Sequence, residues 1–388
     1  MDQLRVLVVA GPGLVADPDL LRETAEAALR DLGVAGRYAA AADPEALWTM
    51  LAGAGRDEQL AVVALPGPDP GARALLTAPG PHAARTVWCD LVRTGPEAVA
   101  DGAVHQAGRG VEGVAWAVRH AVHRLRHPAR RIRYGPDPDQ WADLRLPVRP
   151  EAGPVPVAVL VHGGFWRSTW DADSLDALAV DLAGRGFAAW NLEYRRPDRH
   201  GWAATTADVA AGLAALEPAA ADGLDLDRVA VLGHSAGGQL GLRAAADHGR
   251  VALAVSLAGV LDLAEGHRRW LGTGAVAAAL GGTPAERPEV YAAADPLARL
   301  PLRVPQLIVQ GRDDDPDLVD IARRYAAAAR VAGDEVVHLE RPGDHFAVVD
   351  PPAAIWHATA AELATRLRPI PGCGLSGRSG APSASAEP

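Results

Sequence analysis

The sequence predicts two successive α/β units, and three observations predict them. Apolar runs of strand length alternate with longer helix-like stretches along most of the 388 residues, which is the rhythm of a parallel sheet covered by helices. That rhythm stops near Arg126 and restarts near Val157. One restarted strand runs directly into Gly233-His234-Ser235-Ala236-Gly237 before a further helix-like stretch. The length itself favours two cores over one.

In the first unit, Arg5 to Val9 (RVLVV), Leu60 to Leu65 (LAVVAL) and Thr86 to Val92 read as strands. Pro18 to Leu32 is a helix ended by Gly33, and Val111 to Leu125 closes the unit. The boundaries expected are 1–126 for this unit, 127–150 for a linker and lead-in, 151–368 for the second unit, and 369–388 for a disordered tail rich in Gly, Ser, Pro and Ala. The basic stretch Arg124 to Arg133 (RLRHPARRIR) reads as part of a solvated linker, and His120, His123 and His127 as solvated side chains. In the second unit the strands are Val157–Val161, Ala188–Leu192, Val229–Leu232, Ala252–Leu257, Gln306–Val309 and Glu335–Leu339. Helices are expected at Ser174–Leu182, Thr205–Leu216, Gln239–Ala246 and Ala353–Leu367. The segment Ala264 to Leu300, with Gly281-Gly282 and Pro284, reads as a short loop-rich cover.

Bulk properties narrow the function. Hydrophobic residues make up 49% and charged residues 22%, ordinary for a packed soluble protein. The formal net charge of -10 argues against a nucleic-acid partner. Cys89 and Cys373 are too few for a disulfide framework or a cysteine metal site, and neither a metal nor a cofactor is implied. The N-terminal apolar run is short, lacks a basic leader and stops at a Gly-Pro turn, so it reads as a strand and not a signal peptide. No apolar run is long enough to span a bilayer. A cytoplasmic protein with no membrane partner is expected.

The pattern G-x-S-x-G at 233–237, between a strand and a helix, is the nucleophile elbow of a serine hydrolase. A turn this tight has no room for Cβ atoms beside the serine, and it forces the serine into a strained backbone state that exposes its hydroxyl. That hydroxyl is a poor nucleophile unless a base lies within reach and a third group fixes the base. In this architecture the partners follow in the order serine, acid, histidine. His345, in Asp344-His345-Phe346 past a late strand, is the candidate base. Asp313, Asp314, Asp315 and Asp317 compete for the acid, and Asp314, three residues after the strand-ending Gly311, is preferred. Upstream, His162-Gly163-Gly164-Phe165-Trp166 follows a strand, so the N–H groups of Gly163 and Gly164, with that of Ala236, are candidate oxyanion donors. Phe165, Trp166 and Trp270 are candidate pocket residues, with Trp170 and Trp202 available beside them. Each tryptophan taken alone reads first as core.

At these residues the second unit resembles the α/β-hydrolases with an HGGxW oxyanion motif, the kynurenine formamidase (arylformamidase) and esterase group. The resemblance spans about 134–367 and rests on YGPDPDQWADLRLP, HGGFW, NLEYRR, GHSAGG, SLAGVLDL, GRDD and GDHF in that order. It implies an α/β-hydrolase domain with Ser235, Asp314 and His345 as triad, acting on a small-molecule amide or ester. The alternative within the class is a carboxylesterase on small acyl esters. Residues 4–125 resemble type II 3-dehydroquinate dehydratases through RVLVVAGPGL, LAVVALPGPDPGAR, VWCDLV and AVHQAGRGVEGVAWAVRHAV. That resemblance implies a flavodoxin-like domain and self-association through it into a homo-oligomer. The loop after GPGL lacks the tyrosine that family uses, Tyr38 falls beyond the first helix, and Cys89-Asp90 stands where a histidine is expected. A non-catalytic first unit follows. The remaining alternatives are a scaffold or binding protein, or a first unit that still dehydrates.

Overall fold

Strands form where β-branched and leucine residues run together and can be buried on both faces. RVLVVA and LAVVAL are buried at every position but the first. The computed structural model describes residues 4–94, 97–147 and 153–367, so the tail expected at 369–388 lies outside the described residues. In the first unit five parallel strands, β1 (Arg5–Ala10), β2 (Ala35–Ala40), β3 (Leu60–Leu65), β4 (Thr86–Asp90) and β5 (Val104–Ala107), are ordered β2-β1-β3-β4-β5. Alternate residues serve opposite faces. Val6, Val8 and Val63 pack with helices Pro18–Asp31 and Gly113–Arg126, whereas Leu7, Val9 and Val62 pack with helix Pro44–Ala54. One device starts helices repeatedly. In Asp17-Pro18, Asp43-Pro44 and Asp69-Pro70 the aspartate accepts a helical N–H at 2.8–3.0 Å, and the proline fills the first helical position.

The second sheet has eight strands: β6 (Arg130–Arg133), β7 (Trp141–Arg145), β8 (Val155–Val161), β9 (Ala188–Leu192), β10 (Leu224–His234), β11 (Leu253–Leu257), β12 (Gln306–Gly311) and β13 (Val336–Arg341). Their order is β13-β12-β11-β10-β8-β9-β7-β6, parallel except for β6 and β7. Its two faces are covered by separate apolar clusters.

Three expectations need correction. Within the stretch expected to be a linker and lead-in, residues 127–147 carry strands: β6 pairs antiparallel to β7 and β7 antiparallel to β9, so the second unit begins at its own edge strand. Their polar sequence hid them: β6 is an edge strand that buries little, and β7 buries the charged Asp143 and Arg145. Arg131 binds Asp143 through two contacts of 2.9 Å and lies 3.5 Å over the Trp141 ring while staying exposed on the sheet edge. His120, by contrast, is not solvated; it is buried and bonded to Asp176 at 2.6 Å. Finally, the cover at 264–300, expected to be loop-rich, carries helices Leu263–Arg268, Leu271–Leu280 and Pro288–Ala294, the second interrupted by left-handed backbone at Gly272, Thr273 and Gly274. The edge strand β2 and helix Pro44–Ala54 are further elements without a predicted counterpart.

The units meet through buried polar groups. Arg109, just past β5, holds Asp173 through contacts of 2.7 and 2.8 Å and donates to the Thr169 carbonyl at 2.7 Å. Gln106 donates to the same Asp173 at 2.9 Å. Asp176 binds both His120 and, at 3.1 Å, Arg145. Burial works against the Arg109 charge, and Asp173 and Asp171 more than offset it, so it stays cationic.

Candidate active site

β10 delivers Ser235 to the carboxyl end of the sheet with φ 54° and ψ −121°, and helix Ala236–Asp247 begins at the next residue. The flanking glycines are sterically required. A Cβ on Gly233 would lie 1.9 Å from the Gly237 carbonyl oxygen, and one on Gly237 would lie 2.1 Å from that of Val161. Ser235 N–H donates to the Leu257 carbonyl at 2.9 Å, tying the corner to β11.

The loop after β8 rests against this corner. A Cβ on Gly163 would meet Ser235 Cβ at 2.8 Å and the His234 carbonyl oxygen at 2.7 Å. Gly164, at φ 102°, is equally crowded by Trp170. Among the described residues the N–H groups of Gly163, Gly164 and Ala236 have no protein acceptor, which leaves them free for an anion beside Ser235. Gly163→Ala keeps the N–H, but its Cβ would meet the His234 carbonyl oxygen at 2.7 Å and push the loop off the corner, so ester hydrolysis is expected to fall by about 10²–10³-fold, as when one such donor is taken out of reach. Circular dichroism with initial rates checks it.

Beneath this loop lies a network that sequence reasoning did not assign. Tyr194 Oη donates to the His162 carbonyl at 2.8 Å, and the two rings stack with centroids 4.4 Å apart. Buried Glu193 accepts from Arg196, from Tyr194 N–H at 2.9 Å and from Ala172 N–H at 2.8 Å. His162 faces acceptors with both ring nitrogens, Glu193 at 3.2 Å and the Gly163 carbonyl at 3.0 Å, and burial pushes its pKa down to about 3. A neutral ring satisfies one of the two. The run NLEYRR was visible as a motif, but its function as the foundation of the oxyanion loop depends on contacts between strands.

β12 and β13 bring the other two residues. His345 Nδ1 lies 2.9 Å from Asp314 Oδ2. Asp314 is buried, and its carboxylate also accepts from Gln310 Nε2 at 2.8 Å and Asp315 N–H at 2.7 Å. Burial raises the Asp314 pKa, but these partners, His345 foremost, outweigh it and hold the group below the usual carboxylate range. The three rival aspartates face elsewhere. Asp313 accepts from Gly343 N–H at 2.8 Å, Asp315 caps helix Pro316–Val331, and Asp317 pairs with Arg269 at 2.9 Å. His234, beside the nucleophile, touches the carbonyl of His345 through Nε2 at 3.0 Å, and the rings of His234 and His345 are 4.8 Å apart. The elbow and the base loop are thus adjacent. No hydrogen bond joins Ser235 Oγ to His345 among the described residues, and such contacts commonly tighten only when substrate binds.

The expected aromatic pocket is rearranged. Trp166 is 1% exposed and donates Nε1 to Gln239 at 3.1 Å, so it is core and not lining. Gln239 in turn donates to the Ala294 carbonyl at 2.8 Å, fixing the cover to the elbow helix. Trp270 is 63% exposed, with its ring over Gly274 in the cover. Phe165 is half-buried and packs on Gly272. Trp170 faces the first unit, its ring 5.3 Å from that of Trp116.

At the strand ends of the first unit, Asp90 is held by Arg73 at 3.0 and 3.1 Å and by His105 at 2.8 Å. Burial pushes the Cys89 thiol up to about 12, which keeps it unreactive. No helix of the described residues is long and apolar enough to cross a membrane.

Comparison with known proteins agrees with this geometry. Residues 142–324 match the BD-FAE family. Esterase LipC of Mycobacterium tuberculosis is 35% identical over 130 residues, which are 33% of this chain and 31% of that protein. The match therefore spans under a third of that relative's length. Among solved structures, a bacterial heroin esterase is 26% identical with a TM-score of 0.52, over 62% of this chain and 83% of its own. A truncated carbohydrate esterase from gut microbiota is 17% identical with a TM-score of 0.55, over 61% and 95%, which speaks for the fold alone. With the serine corner, the glycine loop and the Asp–His pair all at one end of its mixed sheet, the second unit has an α/β-hydrolase fold like that of the esterase structures it matches.

Proposed function

We propose that the chain cleaves small carboxylic esters by a Ser235–His345–Asp314 acyl transfer, and aryl formamides as a secondary class. The carrying observation is the 2.9 Å contact between His345 Nδ1 and buried Asp314, on the loop that packs against the serine corner. With Nδ1–H donated to Asp314, Nε2 is the nitrogen left to take the Ser235 proton. Oγ then adds to the substrate carbonyl, and the oxyanion accepts from Gly163, Gly164 and Ala236 N–H. The imidazolium returns its proton to the departing alkoxide, and water repeats the cycle on the acyl-serine. Esters are placed first because the esterase-type relatives support that class. The formamide reading rests on the HGGFW and GHSAGG resemblance.

The test is kcat/KM for p-nitrophenyl acetate against that for N-formylkynurenine, with a fluorophosphonate label mapped by peptide. The ester is expected to lead by about tenfold or more, with the label on Ser235. A reversed order establishes a formamidase, and absence of label from Ser235 ends the serine mechanism. For the first unit we propose a flavodoxin-like, dehydratase-related domain that has lost catalysis. In support, the sheet order matches that topology, and Asp90 at the end of β4 is held by Arg73, which also pairs with Glu97, and by His105.

A further inference from the structure

Two side chains of the first unit meet the ring of Trp170 in the hydrolase unit: Arg109, 4.8 Å over it, and Trp116. Trp116, on helix Gly113–Arg126, lies with its ring 5.3 Å from Trp170 at 87° and 5.9 Å from Phe346 at 50°. Arg119 covers it from its own helix at 5.3 Å. Each of its two partners belongs to a loop that carries the chemistry. Trp170 occupies the space beside Gly164, where an added Cβ would meet Trp170 Cβ at 2.4 Å. Phe346 follows the base, and its ring is 5.6 Å from those of both His345 and His234. Phe346 is also 42% exposed, unusual for a phenylalanine packed among three other rings.

In acyl transfer the base hands its proton to the departing oxygen, so the leaving group sits on the imidazole side of the serine. Phe346 and Trp116 extend outward from that side. We propose that Trp116 of the first unit and Phe346 together form an aromatic subsite for the alcohol portion of the ester, selecting flat aromatic alcohols. The docked first unit is then a wall of the catalytic cleft, held in place by the buried Arg109–Asp173 pair. This inference rests on the serine esterase reading.

Benzyl acetate and ethyl acetate test it, since both release primary alcohols and differ in the ring. Rates of the full chain are expressed per active site titrated with a fluorophosphonate, which removes any misfolded fraction. The wild type is expected to prefer the benzyl ester. Trp116→Ala is expected to lower the benzyl-to-ethyl ratio of kcat/KM about tenfold, with Trp116→Phe close to wild type. Trp116→Leu, which retains apolar volume without a ring, repeats the measurement should the alanine variant be insoluble. A general loss of packing would lower both esters alike and leave the ratio unmoved. A ratio unchanged within about twofold in the ring-less variants overturns the subsite while leaving the hydrolase intact. A wild-type chain that takes no label and cleaves neither ester overturns both readings.

Discussion

Ser235→Ala is expected to reduce p-nitrophenyl acetate hydrolysis by about 10⁴–10⁶-fold and to abolish fluorophosphonate labelling, without loss of fold. The serine occupies a strained corner whose glycine neighbours cannot be replaced, and its side chain contributes nothing to packing that alanine would not keep. Asp314→Asn should cost about 10⁴-fold, because the amide no longer holds the imidazole in the tautomer that leaves Nε2 basic. Members of such a unit act together, so the double variant is expected to be no worse than Ser235→Ala alone. Stopped-assay rates per milligram, compared with intact thermal transitions, check all three. Residual activity above about one part in a hundred for Ser235→Ala would move the chemistry to another residue.

The second large effect concerns stability. Arg109→Met is expected to destabilise the chain by about 3–5 kcal/mol, because it leaves Asp173 buried without its counter-charge. The side chains of Arg109 and Asp173 are each 3% exposed, so water does not screen the loss. Gln106 keeps one hydrogen bond to Asp173 but supplies no charge. A fall of roughly 5–10 °C in the thermal midpoint is expected. Arg109→Met combined with Asp173→Leu should recover most of it, since the penalty lies in the orphaned carboxylate and not in the missing pair. A single variant within about 1 kcal/mol of wild type would show that the two units are not coupled through this contact.

Much of this was legible in the chain order. RVLVVA, LAVVAL and the strand before Gly233 are apolar runs buried on both faces, and burial of that kind is written locally as Val, Leu and Ala. The corner at Ser235 was legible because only glycine tolerates its neighbours' contacts. Strands β2 and β6 were not, since edge strands bury little and can be polar, and β7 was hidden because two of its buried residues, Asp143 and Arg145, are charges paired with Arg131 and Asp176. Trp166 was misplaced in the pocket because a tryptophan beside a glycine loop reads alike whether it faces a substrate or Gln239.

By itself the sequence determined the α/β class, the serine corner, the glycine loop and the histidine, because each follows from residues adjacent in the chain. Only the tertiary structure decided which of four aspartates meets His345, what Glu193 and Tyr194 support, and that Trp116 touches Phe346 beside the base. Those contacts join residues brought together across strands and between units, and no local spacing encodes a partner that distant folding supplies.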